Sequence, residues 1–578
     1  MTNVRGDLQT IRFGVFELDL SAGELLKQGV RVRLQEQPFR ILQMLLESPG
    51  RVVSRDELRT ALWPSNSFID FDQGLNRAIN KLREALGDSA ESPQLIETIA
   101  KRGYRFIGDL PTQSATGDSI VVLPFINMSS DTENEYFADG ITEEIINALA
   151  QIRDLHVVAR SSAFSFKGKH VDPRVVGEQL NVRTVLEGSV RKADNQLRIT
   201  AQLVNAADGF HLWSERYDRE MKDVFAIQDE IARSIAGRLR VPFEGGEPLV
   251  KPGTQNLEAY QAYVKGRALL YKRGPAIPRA LESCRRAVTL DPEYAVAWAG
   301  LADSYTALGY YGLARPQDAI PKGMEAAQRA AAIDPSLAEA HSALAMASLM
   351  GPWNRAEAER EFLRSIELNP KYTQARAWYA FFYLQLSEGH LPEGMLQAKL
   401  ALESDPLSGY AHAIYSLTCL GVGNISEAIR ASQQALGDSE NYLARVTLQG
   451  ALWVSGEFEE SLAIGELALA MSGRHAWPMI LRALTLADWG KGADADAVYC
   501  EMLARGRHQY VQPGALAVAA SAAAREEDAV RHAREAFETR DPHCQLWWSR
   551  YFPTSARLYA YLGFREIVAL MGRSEWLQ

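Results

Sequence analysis

Between Gln73 and Arg83 the chain places polar side chains at a spacing that suits the reading of nucleic acid. Leu75, Ile79, Leu82 and Leu86 recur at helical intervals and share one face of a helix predicted over Asp72–Leu86. The opposite face carries Gln73, Arg77, Asn80, Lys81 and Glu84, flanked by Asn76 and Arg83. Arginine pairs bidentately with guanine, asparagine with adenine, and lysine neutralises phosphate. A helix packed by one face and lined with these residues on the other fits the major groove of double-stranded DNA. Most amphipathic helices, however, simply show such a face to water. The residues that follow decide between the two readings. A strand over Leu95–Ala100, a basic turn Lys101-Arg102-Gly103 and a strand over Tyr104–Ile107 form a hairpin suited to gripping the sugar–phosphate backbone.

Other elements must hold this helix and hairpin in place. Strands are predicted over Phe13–Leu20 and Glu24–Leu34, reversing near Ser21–Gly23. A helix with a broad apolar face spans Pro38–Glu47 and is stopped by Pro49-Gly50. Ser54 and Glu57 have the spacing of a capping box that opens a second helix, Arg55–Leu62, closed by Trp63-Pro64.

The series Asn76-Arg77-Ala78-Ile79-Asn80-Lys81-Leu82-Arg83-Glu84-Ala85-Leu86-Gly87-Asp88, then Ile96-Glu97-Thr98, then Arg102-Gly103-Tyr104-Arg105-Phe106, resembles the OmpR/PhoB-type winged helix. The resemblance implies a small N-terminal sheet, three helices and a wing, with the third helix reading bases. It carries over Gln73, Arg77, Asn80, Lys81 and Arg83, and adds Thr98 near the wing. Two departures stand out. Only about ten residues precede the first strand, so control through an attached, phosphorylated receiver is not expected, although the family is related to phosphorelays. Ala100 also stands where some relatives have a basic contact, which moves that role to Lys101 or Arg102.

A polar linker at Asp109–Asp118 ends this first zone, Ile11–Gly108. The second zone, Ser119–Val241, mixes a buried-type strand (Ser119–Phe125), a helix through Ile145, Ile146, Leu149 and Ile152, and a short strand at Leu155–Val158. An alternating strand follows through Leu197–Leu203, with a partner at Phe210–Tyr217 and a closing helix near Phe225–Leu239. Val122-Leu123-Pro124-Phe125, Phe137-Ala138-Asp139-Gly140, Arg160-Ser161-Ser162 and Leu186-Glu187-Gly188-Ser189-Val190 resemble the TolB N-terminal-like domain, which implies a fold and little chemistry. Asp139, His156, Arg160, Ser161, Ser162, His170 and Asp172 are the residues of this zone able to do chemistry. No nucleophile elbow, phosphate loop or HExxH pattern accompanies them, so structural roles are expected and no enzyme is read.

After a second linker, Pro242–Gly253, the zone Thr254–Gln578 is rich in alanine and leucine. Asp/Asn-Pro recurs at Asp291-Pro292, Asp334-Pro335, Asn369-Pro370 and Asp405-Pro406, spaced by 43, 35 and 36 residues. Small and large residues alternate around each dipeptide. The pattern resembles tetratricopeptide repeats (TPRs) of about 34 residues, with an inserted loop at Gly309–Pro321 absorbing the long first spacing. The likeness is strong over Ala280–Gly421 and degenerate over Ser426–Phe537, and Trp547–Leu577 is expected to cap the stack. Such an array offers a concave surface for a peptide or protein partner. Tyr310, Tyr311, Trp378, Phe381, Phe382 and Tyr410 line that surface or, as favoured here for most of them, pack between helices.

The expected fold class is therefore multidomain α+β: a winged helix-turn-helix, a small α/β domain and an all-α TPR superhelix. The order is similar to that of CadC/HilA-like regulators. Net charge is −10 over 578 residues, yet residues 1–107 hold 15 basic against 14 acidic side chains, so the acidity resides in the remainder. Cys284, Cys419, Cys500 and Cys544 lack paired spacing and read as buried thiols in a reducing compartment. No signal peptide or membrane span is expected, and the cytoplasm is the expected location. The resulting expectation is a one-component transcriptional regulator and signal transducer with no cofactor and no metal. Its partners would be DNA, RNA polymerase, a protein or peptide on the TPR surface, and a second copy of the chain. The alternatives are a TPR scaffold with vestigial DNA binding, and a small-molecule sensor working through the middle domain.

Overall fold

A computed structural model describes residues 10–13, 16–19, 23–27, 30–47, 52–62, 71–89, 93–99, 102–108, 118–131, 134–152, 155–193, 195–239, 241, 249, 253–437 and 441–577. The chain divides into two compact units, Met1–Thr116 and Gly117–Gln578. Both sequence-predicted linkers lie outside the described residues, apart from Asp118, Leu249 and Gly253.

In the first unit the long predicted strands are divided: Phe13–Leu20 holds the end of one strand and the whole of the next, and Glu24–Leu34 holds two. Strands β1 (Thr10–Phe13), β2 (Phe16–Asp19), β3 (Glu24–Lys27) and β4 (Val30–Val32) form one antiparallel sheet in that order. Phe13 pairs with Phe16 and Lys27 with Val30, so two residues separate the strands each time, and a glycine stands in each pair (Gly14, Gly29). Helix α1 (Glu36–Glu47), strand β5 (Val52–Ser54), helix α2 (Arg55–Leu62), helix α3 (Phe71–Leu86) and strands β6 (Ile96–Ile99) and β7 (Gly103–Phe106) follow. Phe13, Leu18, Ile41, Leu45, Leu58, Ile79, Leu82 and Phe106 meet in one buried core. Pro49-Gly50 and Trp63-Pro64, read as helix stops, lie outside the described residues.

In the second unit a mixed sheet runs in the order β10 (Leu155–Val157), β8 (Asp118–Val122), β11 (Thr184–Ala193), β12 (Gln196–Asn205), β13 (His211–Glu220), with β9 (Ile126–Asn127) also paired to β11. Its helices are α4 (Asn134–Ala150), α5 (Arg160–Phe164), α6 (Pro173–Leu180) and α7 (Val224–Arg238). Four of the residues able to do chemistry, Asp139, Arg160, Ser162 and Asp172, hold structure together. Asp172 caps α6 by accepting from the Arg174 amide at 2.9 Å. Lys167 closes on Asp139 at 2.5 Å, and Arg160 pairs with Glu143 at 3.2 Å.

Helical pairs make up the rest, eight of them among the described residues, from Leu257–Lys272 with Ile277–Leu290 to Pro513–Ala522 with Glu526–Glu538. The long first spacing has a different cause from the one expected. The helices flanking it, Ala295–Tyr310 and Pro316–Ile333, are long, and Pro321 sits inside the second of them, so added helical turns absorb the extra residues. Three of the Asp/Asn-Pro signatures turn the chain in the same way. The side-chain oxygen of Asp291, Asp334 or Asn369 accepts the amide hydrogen two residues on, at 2.9–3.1 Å. The fourth departs from this pattern. Asp405 accepts from the Ser162 amide at 2.9 Å and the Ser162 hydroxyl at 2.6 Å, and so pins the repeats to α5. Arg267 of the first repeat helix also reaches Glu143 of α4 at 2.8 Å. One core runs from Ile120 and Val185 through Tyr260 and Tyr294 to Leu344, so the sequence-predicted boundary between the second and third zones does not divide the packing.

The superhelix closes on itself. His475 bonds the Tyr311 carbonyl at 2.5 Å, Gln512 donates to the Tyr310 carbonyl at 3.1 Å, and the buried Arg573 donates to the Ser387 carbonyl at 2.9 Å. The tail expected to cap the stack instead turns back into its interior, where Trp547 and Phe552 meet Phe381 at 6.0 and 5.8 Å. The concave surface is thereby filled. Tyr311 stacks on Trp477 at 4.6 Å, and Tyr310, Trp378, Phe381 and Phe382 are each less than a tenth exposed. An open peptide groove over these aromatics is therefore not present among the described residues. Three of the cysteines are buried, but Cys500 is exposed, contrary to expectation, because it lies on the outer face of the helix Gly492–Gly506.

Candidate nucleic-acid interface

Helix α3 is anchored from below. Leu75, Ile79, Leu82 and Leu86 are at most 4% exposed, so rotation about its axis would expose a whole apolar stripe. Gly87 ends it with φ of +69°, and the Asp88 amide donates back to the Arg83 carbonyl at 2.9 Å, a glycine-closed C-terminus. Asp88 then accepts from the amides of Gln94 and Ile96 at 2.7 and 2.8 Å, which ties the end of α3 to the start of the wing.

The remaining face points to solvent. Arg77 and Asn80 are exposed, and their side chains make no hydrogen bond or ion pair with the described residues. Lys81 is exposed and donates to Gln35 Oε1 at 2.8 Å. Asn76 is exposed but not idle: its Oδ1 accepts from the Tyr104 hydroxyl at 3.0 Å and from Arg55 at 3.2 Å, joining α3, β7 and α2. Gln73 occupies the first turn of α3.

Arg83 is placed differently from the expectation. It is 6% exposed, and its Nη2 donates to the Ile96 carbonyl at 2.7 Å and to Thr98 Oγ1 at 2.9 Å. It braces the helix against the wing strand and is not presented to a groove. Position 83 directly follows Leu82, at the border of the apolar stripe, where a long side chain lies along the core and reaches the neighbouring strand. Thr98 is exposed on β6 and is one of the acceptors in that brace.

Strands β6 and β7 pair antiparallel from Ile96↔Phe106 to Ile99↔Gly103, and Arg105 crosses to Glu97 at 2.5 Å. Arg102 is exposed in the turn, its amide donating to the Ile99 carbonyl at 3.0 Å. Lys101 lies outside the described residues. Gly103 is required by packing: a Cβ there would stand 2.0 Å from the Val53 carbonyl oxygen, so the close approach of β5 admits no side chain. The predicted capping box is formed, with Glu57 accepting from the Ser54 amide at 2.7 Å and Ser54 Oγ from the Glu57 amide at 3.2 Å.

These elements are two helices and a β-hairpin arranged around a third helix whose free face carries Arg77, Asn80 and Lys81. Residues 29–106 match the family model for the C-terminal domain of transcriptional regulatory proteins. The head is a winged-helix DNA-binding domain of that family. Residues 116–234 match the second domain of HilA/YgeH-like transcriptional regulators. Among curated proteins, a putative adenylate cyclase 3 of Rhizobium meliloti is 46% identical over 195 residues, 33% of this chain and 33% of that protein. The transcriptional regulator HilA of Salmonella typhi is 22% identical over 310 residues, 51% of this chain and 53% of that protein. The chain thus spans between a third and about half of these relatives. Among solved structures, the RstA DNA-binding domain of Klebsiella pneumoniae in complex with the RstA box is 32% identical, with 17% of this chain and 95% of that chain covered and a TM-score of 0.16. Among the described residues, no helix is long and apolar enough to cross a membrane.

Proposed function

We propose that the chain is a sequence-specific, DNA-binding transcriptional regulator of the one-component type, working in the cytoplasm. In this reading α3 enters the major groove, Arg77 and Asn80 meet base edges, Lys81 meets phosphate, and the turn around Arg102 grips the backbone. The observation that carries it is the exposed pair Arg77 and Asn80, without a hydrogen-bond or ion-pair partner among the described residues, on a helix whose other face is buried. The second unit sets occupancy through a bound ligand or protein partner and through pairing of copies. No reaction is assigned to it, because Asp139, Arg160, Ser162 and Asp172 are all engaged in structural contacts. Selection of genomic fragments by the full chain, followed by gel shift of a selected site and its scrambled version at about 50 and about 200 mM salt, tests the reading. Preference for the selected site, with affinity that falls steeply with salt, is expected. Equal affinity for both DNAs, or none, would overturn it.

A further inference from the structure

Inside the closed superhelix lies a cavity of about 40 Å³, room for about three waters or a small organic head group. Its wall is largely aromatic, including Tyr310, Trp378 and Trp477. Five polar atoms on lining residues are buried with no hydrogen-bond partner among the described residues: Arg273 Nε, Asp303 Oδ1, Thr306 Oγ1, Trp477 Nε1 and Trp547 Nε1. Unmet buried polar atoms are costly, and several around one apolar cavity mark a place where something polar belongs. Arg273 is held there by the fold. It is 7% exposed, its backbone takes φ of +57°, and its guanidinium sits 5.8 Å from the Trp378 ring and 5.0 Å from the Tyr410 ring. Gln374 accepts from Arg273 at 3.3 Å and donates to Asp303 at 3.2 Å, so the two charged groups are linked through an amide and not paired directly.

The sign of the site follows. Arg273 keeps its charge at any physiological pH, whereas burial pushes the Asp303 carboxyl up to about 7. Asp303 is then only partly ionised near neutral pH and does not fully offset the Arg273 charge. An aromatic cage alone would suit an organic cation, but the buried guanidinium already fills that role against two of the rings. We propose that this cavity binds a small organic carboxylate, its anionic head on Arg273 and Thr306 and its apolar part against the aromatic wall.

The proposal gives substance to the ligand-sensing part of the functional reading above. Its test needs no DNA, so either can fail without the other. The full chain is titrated by calorimetry with acetate, propionate, propionamide and ethylammonium, all small enough for the cavity, and thermal unfolding confirms that each variant is folded. One acid is expected to bind in a 1:1 ratio, and Arg273→Gln to weaken it about tenfold or more, with Thr306→Val weakening it about threefold. Should Arg273→Gln not fold, Thr306→Val decides, and unchanged affinity there overturns the proposal. Propionamide binding as well as propionate, ethylammonium binding, or Arg273→Gln binding like the parent chain would each overturn it. Failure of both acids to bind would make the cavity a hydrated seam and would also overturn it.

Discussion

Arg77 in the head and Arg273 in the second unit end in opposite surroundings. In the head, Arg77 is exposed because the opposite side of α3 is fully occupied by Leu75, Ile79 and Leu82. In the second unit, the concave side of the repeats would be the natural place for exposed side chains, yet it is sealed, and Arg273 lies inside. A single rigid helix with one buried face leaves the other free. A superhelix that turns far enough brings its ends together, and its inner face becomes core. Exposure therefore follows from how far the architecture curves as much as from the residue types it carries.

Removing the seal is the strongest way to break that contrast. Trp477 stacks on Tyr311 and meets Tyr310 and Trp547 at 4.9 and 5.5 Å. Trp477→Ala should cost the second unit about 3–5 kcal/mol in denaturant unfolding. DNA affinity of the folded full chain should change by less than about twofold, since the head has its own core. An equal loss of DNA binding would mean that the two units are not energetically separate.

The same seal should carry a pH dependence of comparable size. His475 Nδ1 faces the Tyr442 hydroxyl at 2.9 Å and the Trp477 amide at 3.3 Å, both donors, while Nε2 meets the Tyr311 carbonyl. The neutral ring with its hydrogen on Nε2 satisfies all three. Burial first, then the neighbouring charges of His543 and Arg505, bring its pKa down from 6.5 to about 4. The unfolded chain therefore binds more protons between these values, and stability falls as pH drops from 6.5 towards 4, by on the order of 3 kcal/mol. His475→Gln should flatten that slope in unfolding measured across the window. A slope unchanged by the substitution would place the effect elsewhere.

How much of this was legible differs between the units. The stripe Leu75/Ile79/Leu82/Leu86, the capping box and the wing are local patterns, and the head follows them closely. Arg83 was misread because its partners, Ile96 and Thr98, come from a strand, and periodicity alone cannot separate a groove-facing arginine from one at the border of the core. The brace of Asp88 and the link of Asn76 to Tyr104 likewise depend on tertiary approach, although Asp88 stands in the motif that carried the resemblance. In the second unit the repeat spacing announced helical pairs but not closure. Closure depends on contacts such as Tyr311 with His475 and Arg573 with Ser387, which are far apart in sequence. Asp405 shows the same limit: its dipeptide matches the other three, yet its side chain serves α5.

Within the head, paired substitutions separate the exposed arginine from the buried one. Arg83→Met should destabilise the domain by about 1–3 kcal/mol, since the Ile96 carbonyl and Thr98 lose their donor. Arg77→Ala should leave stability within about 0.5 kcal/mol and weaken the selected site by about 1–3 kcal/mol, with a smaller loss on scrambled DNA. If both variants lose stability alike, Arg77 is also structural and the free-face reading of α3 is wrong.

The smallest expected effect belongs to the wing. Arg102 is exposed beside Lys101, and the peptide amide of Arg102 is already committed to Ile99, so the turn offers charge and no fixed base-reading geometry. Contacts to phosphate act alike on every sequence, and each releases about one counterion. The double variant Lys101→Ala, Arg102→Ala should therefore lower affinity for the selected and the scrambled site by similar factors. It should also reduce the slope of log affinity against log salt by up to about 2. Arg77→Ala, in contrast, should widen the gap in loss between the two DNAs. A wing variant with an unchanged salt slope would remove the hairpin from the interface. One that lost only the selected site would place Lys101 or Arg102 in a groove, and would make the wing a second reader beside α3.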